Sequence, residues 1–213
     1  MERSIMNDTI TILTLGLFNV EDLNTIELQV KSNLPIMETP LVDNYGVRLK
    51  DSKLVDLYKV KANGFSIEWQ GKQIEASGRL NFLPIEQIVQ TWKDRLYYES
   101  DVEFNDLIAY YHPIDMPSET ISCGMLITPD YVSESIYLHH APEPETFDLD
   151  LEGYVHMAKE ACIFSNWQMV LLNITNLQHP ITKQFRETMP TLFPDFNWDA
   201  FVEKYESLKL SNQ

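Results

Sequence analysis

The period of the apolar residues changes abruptly at Asn63-Gly64, and this switch constrains the fold more than any other feature of the chain. Before it, Leu54, Leu57 and Tyr58 recur at three- and four-residue spacing within Ser52–Ala62, the stripe of a helix that Ser52 can cap. After it, Phe65-Ser66-Ile67-Glu68-Trp69 alternates apolar with polar, the mark of a half-buried strand. Gly64 accepts the left-handed conformation that closes a helix, so the chain is predicted to turn there from helix into strand. Gln70-Gly71-Lys72 reads as a turn, and a second strand is predicted over 73–83. Pro84 then opens a helix that ends near 93–96, with Ile85, Ile88, Val89 and Trp92 on one face. A helix, a tight glycine and two strands in succession point to an α+β fold.

The remaining chain is read the same way. Residues 10–18 fit a strand or a short helix, and Val20-Glu21-Asp22-Leu23 reads as a helix start. Leu34-Pro35 and Thr39-Pro40 read as loop. Strands are predicted at 107–111, 121–127 and 135–139, with His112–Pro117 as the loop between the first two. Ala141–Glu145 is a proline-stiffened acidic loop. A long helix is predicted from Leu151 to Trp167, capped by Asp148 or Asp150. Two shorter helices follow at 182–189 and 198–208, parted by Pro190 and Pro194. With no repeat, low-complexity linker or charge block, the simplest organisation is a single domain with helical additions at both ends.

The 213 residues are 44% apolar, enough to build a sizeable core, and carry a formal charge of -16. That balance excludes a general nucleic-acid binder, whose affinity comes from cations set against phosphates. It also disfavours anionic membranes and is compatible with a basic protein partner. Asn7, Asp8 and three threonines interrupt the start, so no signal peptide is read. No run reaches about 18 apolar residues, the length of a membrane span. A cytoplasmic protein is expected, with Cys123 and Cys162 as buried thiols rather than a disulfide.

Chemistry is sparse. The chain lacks HExxH, paired-cysteine zinc spacing, an EF-hand loop, GxGxxG, GxxxxGK[ST] and GxSxG. His139 and His140 are adjacent, so on a strand they point to opposite faces and cannot easily share a metal. Cys123 lies in Ile121-Ser122-Cys123-Gly124-Met125-Leu126, which reads as an inner strand and makes it a buried thiol rather than a nucleophile. The pairs Asp101/Glu103 and Asp148/Asp150 fall on surface segments and single out no acid–base chemistry. Trp69, Trp92 and Trp167 are read as core, and Trp198 as core or interface. No catalytic residue, metal or cofactor is assigned, and the chain is expected not to be an enzyme.

Three stretches together resemble the SUKH superfamily. Leu54-Val55-Asp56-Leu57-Tyr58 through Asn63-Gly64-Phe65 to Trp69 is similar to its helix, Asn-Gly, aromatic strand and Trp element. Gly78-Arg79-Leu80-Asn81-Phe82-Leu83-Pro84-Ile85 is similar to the strand and helix that follow. Phe147-Asp148-Leu149 through Tyr154-Val155 to Phe164-Ser165-Asn166-Trp167 looks like the closing helix. The match spans 34–170, with 1–33 as an N-terminal extension and 171–213 as a C-terminal helical one. The resemblance implies an α+β core whose mixed or mainly antiparallel sheet is flanked by helices. It further implies a bacterial immunity protein that occludes a toxin without catalysis, or a regulatory scaffold of the same fold. A charge of -16 suits a basic toxin domain such as a nuclease. Two acidic surfaces are nominated for that contact: Tyr97, Tyr98, Glu99, Asp101, Glu103 and Asp106, and separately Glu143, Glu145 and Asp148. An alternative of another class is a hydrolase with an unrecognised polar cleft.

Overall fold

A computed structural model describes residues 5–31, 64–128, 131–140 and 143–213. The helix predicted over 52–62 and the two X-Pro steps lie outside these residues. In chain order the first elements are α1 (Ile5–Phe18), β1 (Leu23–Val30), β2 (Phe65–Gly71), β3 (Ser77–Phe82), α2 (Ile85–Ile88) and α3 (Glu99–Phe104). Then come β4 (Tyr111–Asp115), β5 (Ser122–Leu126), β6 (Tyr137–His139) and β7 (Glu145–Thr146). Helices α4 (Leu151–Glu160), α5 (Trp167–Leu172), α6 (Pro180–Leu192) and α7 (Trp198–Leu208) close the chain. The fold is α+β with a mainly antiparallel sheet and flanking helices: β3–β4, β4–β5, β5–β6 and β6–β7 all pair antiparallel.

Contacts group the described residues into two compact units that interleave along the chain. The first holds residues 5–29, 66–80 and 147–213; the second holds 30–31, 64–65 and the described part of 81–146.

In the first unit, α1 packs on α4, and Leu13 and Leu17, four residues apart, are buried together with Thr14 among the described side chains of the helix. That periodicity settles 10–18 as helix. Val20–Leu23 does not start another one: it turns into β1. Asp150 caps α4 by accepting from the Gly153 amide at 2.7 Å. The long helix predicted to Trp167 stops at Glu160. Cys162 and Ile163 both take left-handed φ, 47° and 50°. The Cys162 amide donates to Lys159 O and the Ile163 amide to Ala158 O, the paired bonds of a Schellman ending. Ile163 is buried and its carbonyl accepts from the Arg79 amide at 2.9 Å, which holds a β-branched residue where it is rarely found. Asn166, at φ 63°, restarts the chain into α5. Pro190 does not end the next helix. It sits inside α6, which runs on to Leu192.

The core of this unit is aromatic. The Trp69 indole donates to Cys162 O at 2.7 Å and packs against Phe164 and Phe193. Phe185 meets Phe164, Phe196, Trp198 and Phe201 with ring centroids 5.3–6.4 Å apart. Trp69 and Trp167 are buried as the sequence implies, while Trp198 is half-buried under the Arg186 guanidinium.

In the second unit Gly64 has φ 81°, the left-handed value read for it. The helix opened by Pro84 lasts one turn, Ile85–Ile88, though Trp92 beyond it is still buried. The predicted strand at 107–111 is a 3-10 turn, Asp106–Tyr110, and the predicted loop after it is β4. Every residue of β4 and β5 is buried. Within such a layer Pro113 is accommodated where the register shifts between Pro113 and Asp115. Asp115 is wholly buried, and its carboxylate accepts from the Asn81 amide at 2.7 Å. The strands predicted at 65–69, 121–127 and 135–139 appear as β2, β5 and β6.

Candidate functional site

The first nominated surface lies in the second unit, on α3 and the turn after it. Tyr98 precedes α3, and its amide donates to the Asp101 carboxylate at 2.7 Å, which closes the helix N-terminus. Asp101 is therefore half-buried and occupied as a cap. Glu99 and Glu103, four apart and both exposed, share a side of α3. Glu99 holds the Lys93 ammonium, raising the lysine pKa through that hydrogen bond and the paired charge. Asn105 then caps the 3-10 turn by accepting from the Leu107 amide at 3.0 Å, which leaves Asp106 exposed.

Tyr97 corrects the nomination. It is 3% exposed, a core residue whose hydroxyl donates to Ala109 O at 3.2 Å, and it cannot meet a partner. Tyr98 beside it is 58% exposed. Leu107, which sequence reasoning put in a strand, is 45% exposed beside Asp106 and supplies an apolar contact point that no periodicity pointed to. Helix α3 and the 3-10 turn pack against each other, and Tyr98, Glu99, Glu103, Asp106 and Leu107 are exposed on them.

Of the second nominated set, Glu143 and Glu145 are exposed in the second unit, and Glu145 pairs with His140 at 2.8 Å. Asp148 belongs to the first unit, where its carboxylate takes the hydroxyl and amide of Ser211. It is half-buried and spent on the tail.

A polar cluster stands in the second unit where no motif predicted one. Ser122 and His139 are register partners on β5 and β6, and the Tyr111 hydroxyl lies 3.2 Å from Ser122 Oγ. The Tyr111 and His139 rings pack at 5.3 Å. Burial drives the Tyr111 phenol well above its ordinary 10.0, so it stays protonated. Burial also holds the His139 imidazole below 6.5; Asp101 pulls it up and His140 adds to the depression. A neutral imidazole, a protonated phenol and a hydroxyl form a polar core contact rather than an activated nucleophile. The neighbouring His112 is buried and donates Nδ1–H to Ile88 O at 2.6 Å.

This cluster carries a pH dependence. The unfolded chain takes up the His139 proton at a higher pH than the folded one, so it binds more protons below about pH 6.5. Stability is therefore expected to be full above that value and to fall as pH drops through it towards the depressed folded pKa. The slope of the urea midpoint between about pH 7.5 and 5.5 is expected to flatten in His139→Asn. An unchanged slope would show that His139 carries none of it.

Cys123 is buried and Cys162 half-buried, both as free thiols, and burial pushes the Cys162 pKa up to about 12. A pKa raised by burial disfavours the thiolate of Cys162. Among the described residues, no group of three or more His, Cys, Asp or Glu is placed to hold a metal ion, and no helix is long and apolar enough to cross a membrane.

No protein-family model, curated protein or solved structure matches the chain.

Proposed function

We propose that this chain is a non-catalytic, cytoplasmic protein-binding module of immunity type, which occludes a basic toxin domain in the manner its SUKH resemblance implies. The observation that carries the reading is the α3 face. There an exposed tyrosine and an exposed leucine stand among Glu99, Glu103 and Asp106, with Lys93 already held by Glu99. Exposed apolar anchors beside charge mainly of one sign, here Glu103 and Asp106, are what a tight and selective interface uses. The charge of -16 adds long-range steering towards a cationic target, which raises the association rate without adding contacts.

The test is a pull-down with the tagged full chain from lysate of its own organism, washed at low salt and then at about 0.5 M. One basic toxin domain is expected in near-equal amount, with recovery falling about tenfold or more in Glu99→Lys/Glu103→Lys/Asp106→Lys. Equal recovery by wild type and variant would remove the α3 face from the interface. Capture of a basic partner with no toxin activity would instead favour the regulatory scaffold of the same fold.

A further inference from the structure

We infer that the first unit carries a second docking surface, an apolar groove that takes one short amphipathic helix of a partner protein with a basic outer side. The groove encloses about 400 Å³ and lies between α1 and the α6–α7 turn. Leu13, Leu17 and Val20 line it from α1 and its end, and Phe193, Phe196 and Phe201 from the other side. Ile12 lines the groove while 55% exposed. Residues four apart on a helix share a side, and Ile12, Gly16 and Val20 follow that spacing along the groove, while Leu15 and Phe18, 59% and 60% exposed, lie on another side of α1 and outside it. Isolated exposed apolar side chains are ordinary on a protein surface; one that opens into a concave apolar cleft marks a contact site. Gly16 also lines the groove, and nothing lies within 4 Å of where its Cβ would stand, so an occupant has room to approach the α1 backbone.

Charge and size choose the occupant. Glu160 and Asp195 line the groove, and Glu21 and Asp22, both exposed, directly follow the lining residue Val20. Among the described residues the cations beside these acids are Lys159, which pairs with Glu160 at 3.2 Å, and Lys72, whose ammonium donates to the Glu21 carbonyl, so Asp195, Glu21 and Asp22 remain in excess. The border therefore favours positive charge. A second copy of this chain, bringing its own -16, is repelled. Size points the same way. The α1 wall of the groove, Ile12 to Leu17, covers about 8 Å of helix axis, enough to seat roughly one and a half turns of a facing helix. A stable dimer needs about 800 Å² from each partner, far more than a groove of this length presents. One amphipathic helix with anchors at three- and four-residue spacing fits the bed, its cationic side meeting the acidic border. The assignment does not rest on the α3 reading, because the sign of the partner's charge follows from this border.

The probe is a fluorescein-labelled synthetic peptide of about 14 leucines and lysines patterned at helical period, with a leucine–glutamate peptide of the same pattern as control. Fluorescence anisotropy on the full chain is expected to show binding of the lysine peptide and at least tenfold weaker binding of the glutamate one. Ile12→Gln/Gly16→Gln, which puts polar side chains into the groove, is expected to weaken the lysine peptide about tenfold, whereas Leu177→Gln, an exposed leucine elsewhere in the unit, leaves it unchanged. A benzophenone-bearing copy is expected to cross-link to 12–20 or 193–201 of the wild-type chain, a readout that needs no variant to fold. Equal affinity of wild type and a folded double variant, or cross-links confined to other segments, would overturn the groove. So would a concentration-dependent dimer that the same double variant abolishes, because a second copy would then be the occupant. The synthetic probe keeps this result separate from the α3 reading, which fails or stands on the native partner alone.

Discussion

Trp69→Ala is expected to lower the free energy of unfolding by about 3–5 kcal/mol, the range for emptying a buried aromatic site. The indole is 1% exposed and sits between Phe164 and Phe193, with centroids at 6.1 and 5.6 Å. Its Nε1–H also satisfies Cys162 O in the segment where α4 ends, so truncation leaves both a cavity and an unpaired carbonyl. Trp69→Phe fills part of the space but restores no donor, and is expected to fall between. Gly78 provides an internal check. A Cβ there would stand 2.2 Å from the indole Nε1, so Gly78→Ala is destabilising in the wild type. In the Trp69→Ala background the indole is gone, although Ile163 O at 2.6 Å remains. The cost of Gly78→Ala is therefore expected to shrink without vanishing. Urea unfolding followed by circular dichroism reads all five proteins, the wild type included. A loss below about 1 kcal/mol for Trp69→Ala would mean that this site is not the packed centre described here.

Gly124→Ala is expected to cost about 3 kcal/mol or more, for a different reason. A Cβ on β5 would lie 2.1 Å from His112 O and 2.8 Å from Pro113 Cα. These are backbone atoms of β4, so relief requires the two strands to part where the register already shifts. No side chain can swing away. Gly153→Ala supplies the contrast: its Cβ would meet only the Asp150 carboxylate at 3.3 Å and side-chain atoms of Leu149. The helix gains up to about 1 kcal/mol of propensity there, so the net change is expected to be small. Equal melting temperatures for Gly124→Ala and the wild type would contradict the β4–β5 approach.

The candidate face was only partly legible in the sequence. Glu99, Glu103 and Asp106 read as surface because charged groups avoid burial, and they are exposed. Tyr97 and Tyr98 could not be told apart, being adjacent and of one chemistry. Tyr97 points inward because Ala109 O, twelve residues on, accepts its hydroxyl. Leu107 was read as part of a strand for the same lack of context, whereas it lies exposed in the 3-10 turn. The groove in the first unit had no local signature at all, since its walls come from positions about 180 residues apart in the chain. Asp101 and Asp148 look identical to free surface acids until the amides they accept from are in place.

By itself the sequence determined the α+β class, the strands at β2, β5 and β6, the left-handed Gly64, and a cap for α4 at either Asp148 or Asp150. Each of these is a short-range matter of apolar period or of one residue's backbone freedom. Only the tertiary structure decided that α4 ends at Glu160, where the chain offers cysteine and isoleucine rather than glycine for the left-handed step. The Arg79 amide on Ile163 O and the burial of Ile163 hold that conformation against its intrinsic cost. It also decided that 106–110 coils while 111–115 becomes a strand. The β4–β5 ladder supplies the hydrogen bonds for 111–115, and its partner, β5, lies across an intervening loop that no local pattern spans.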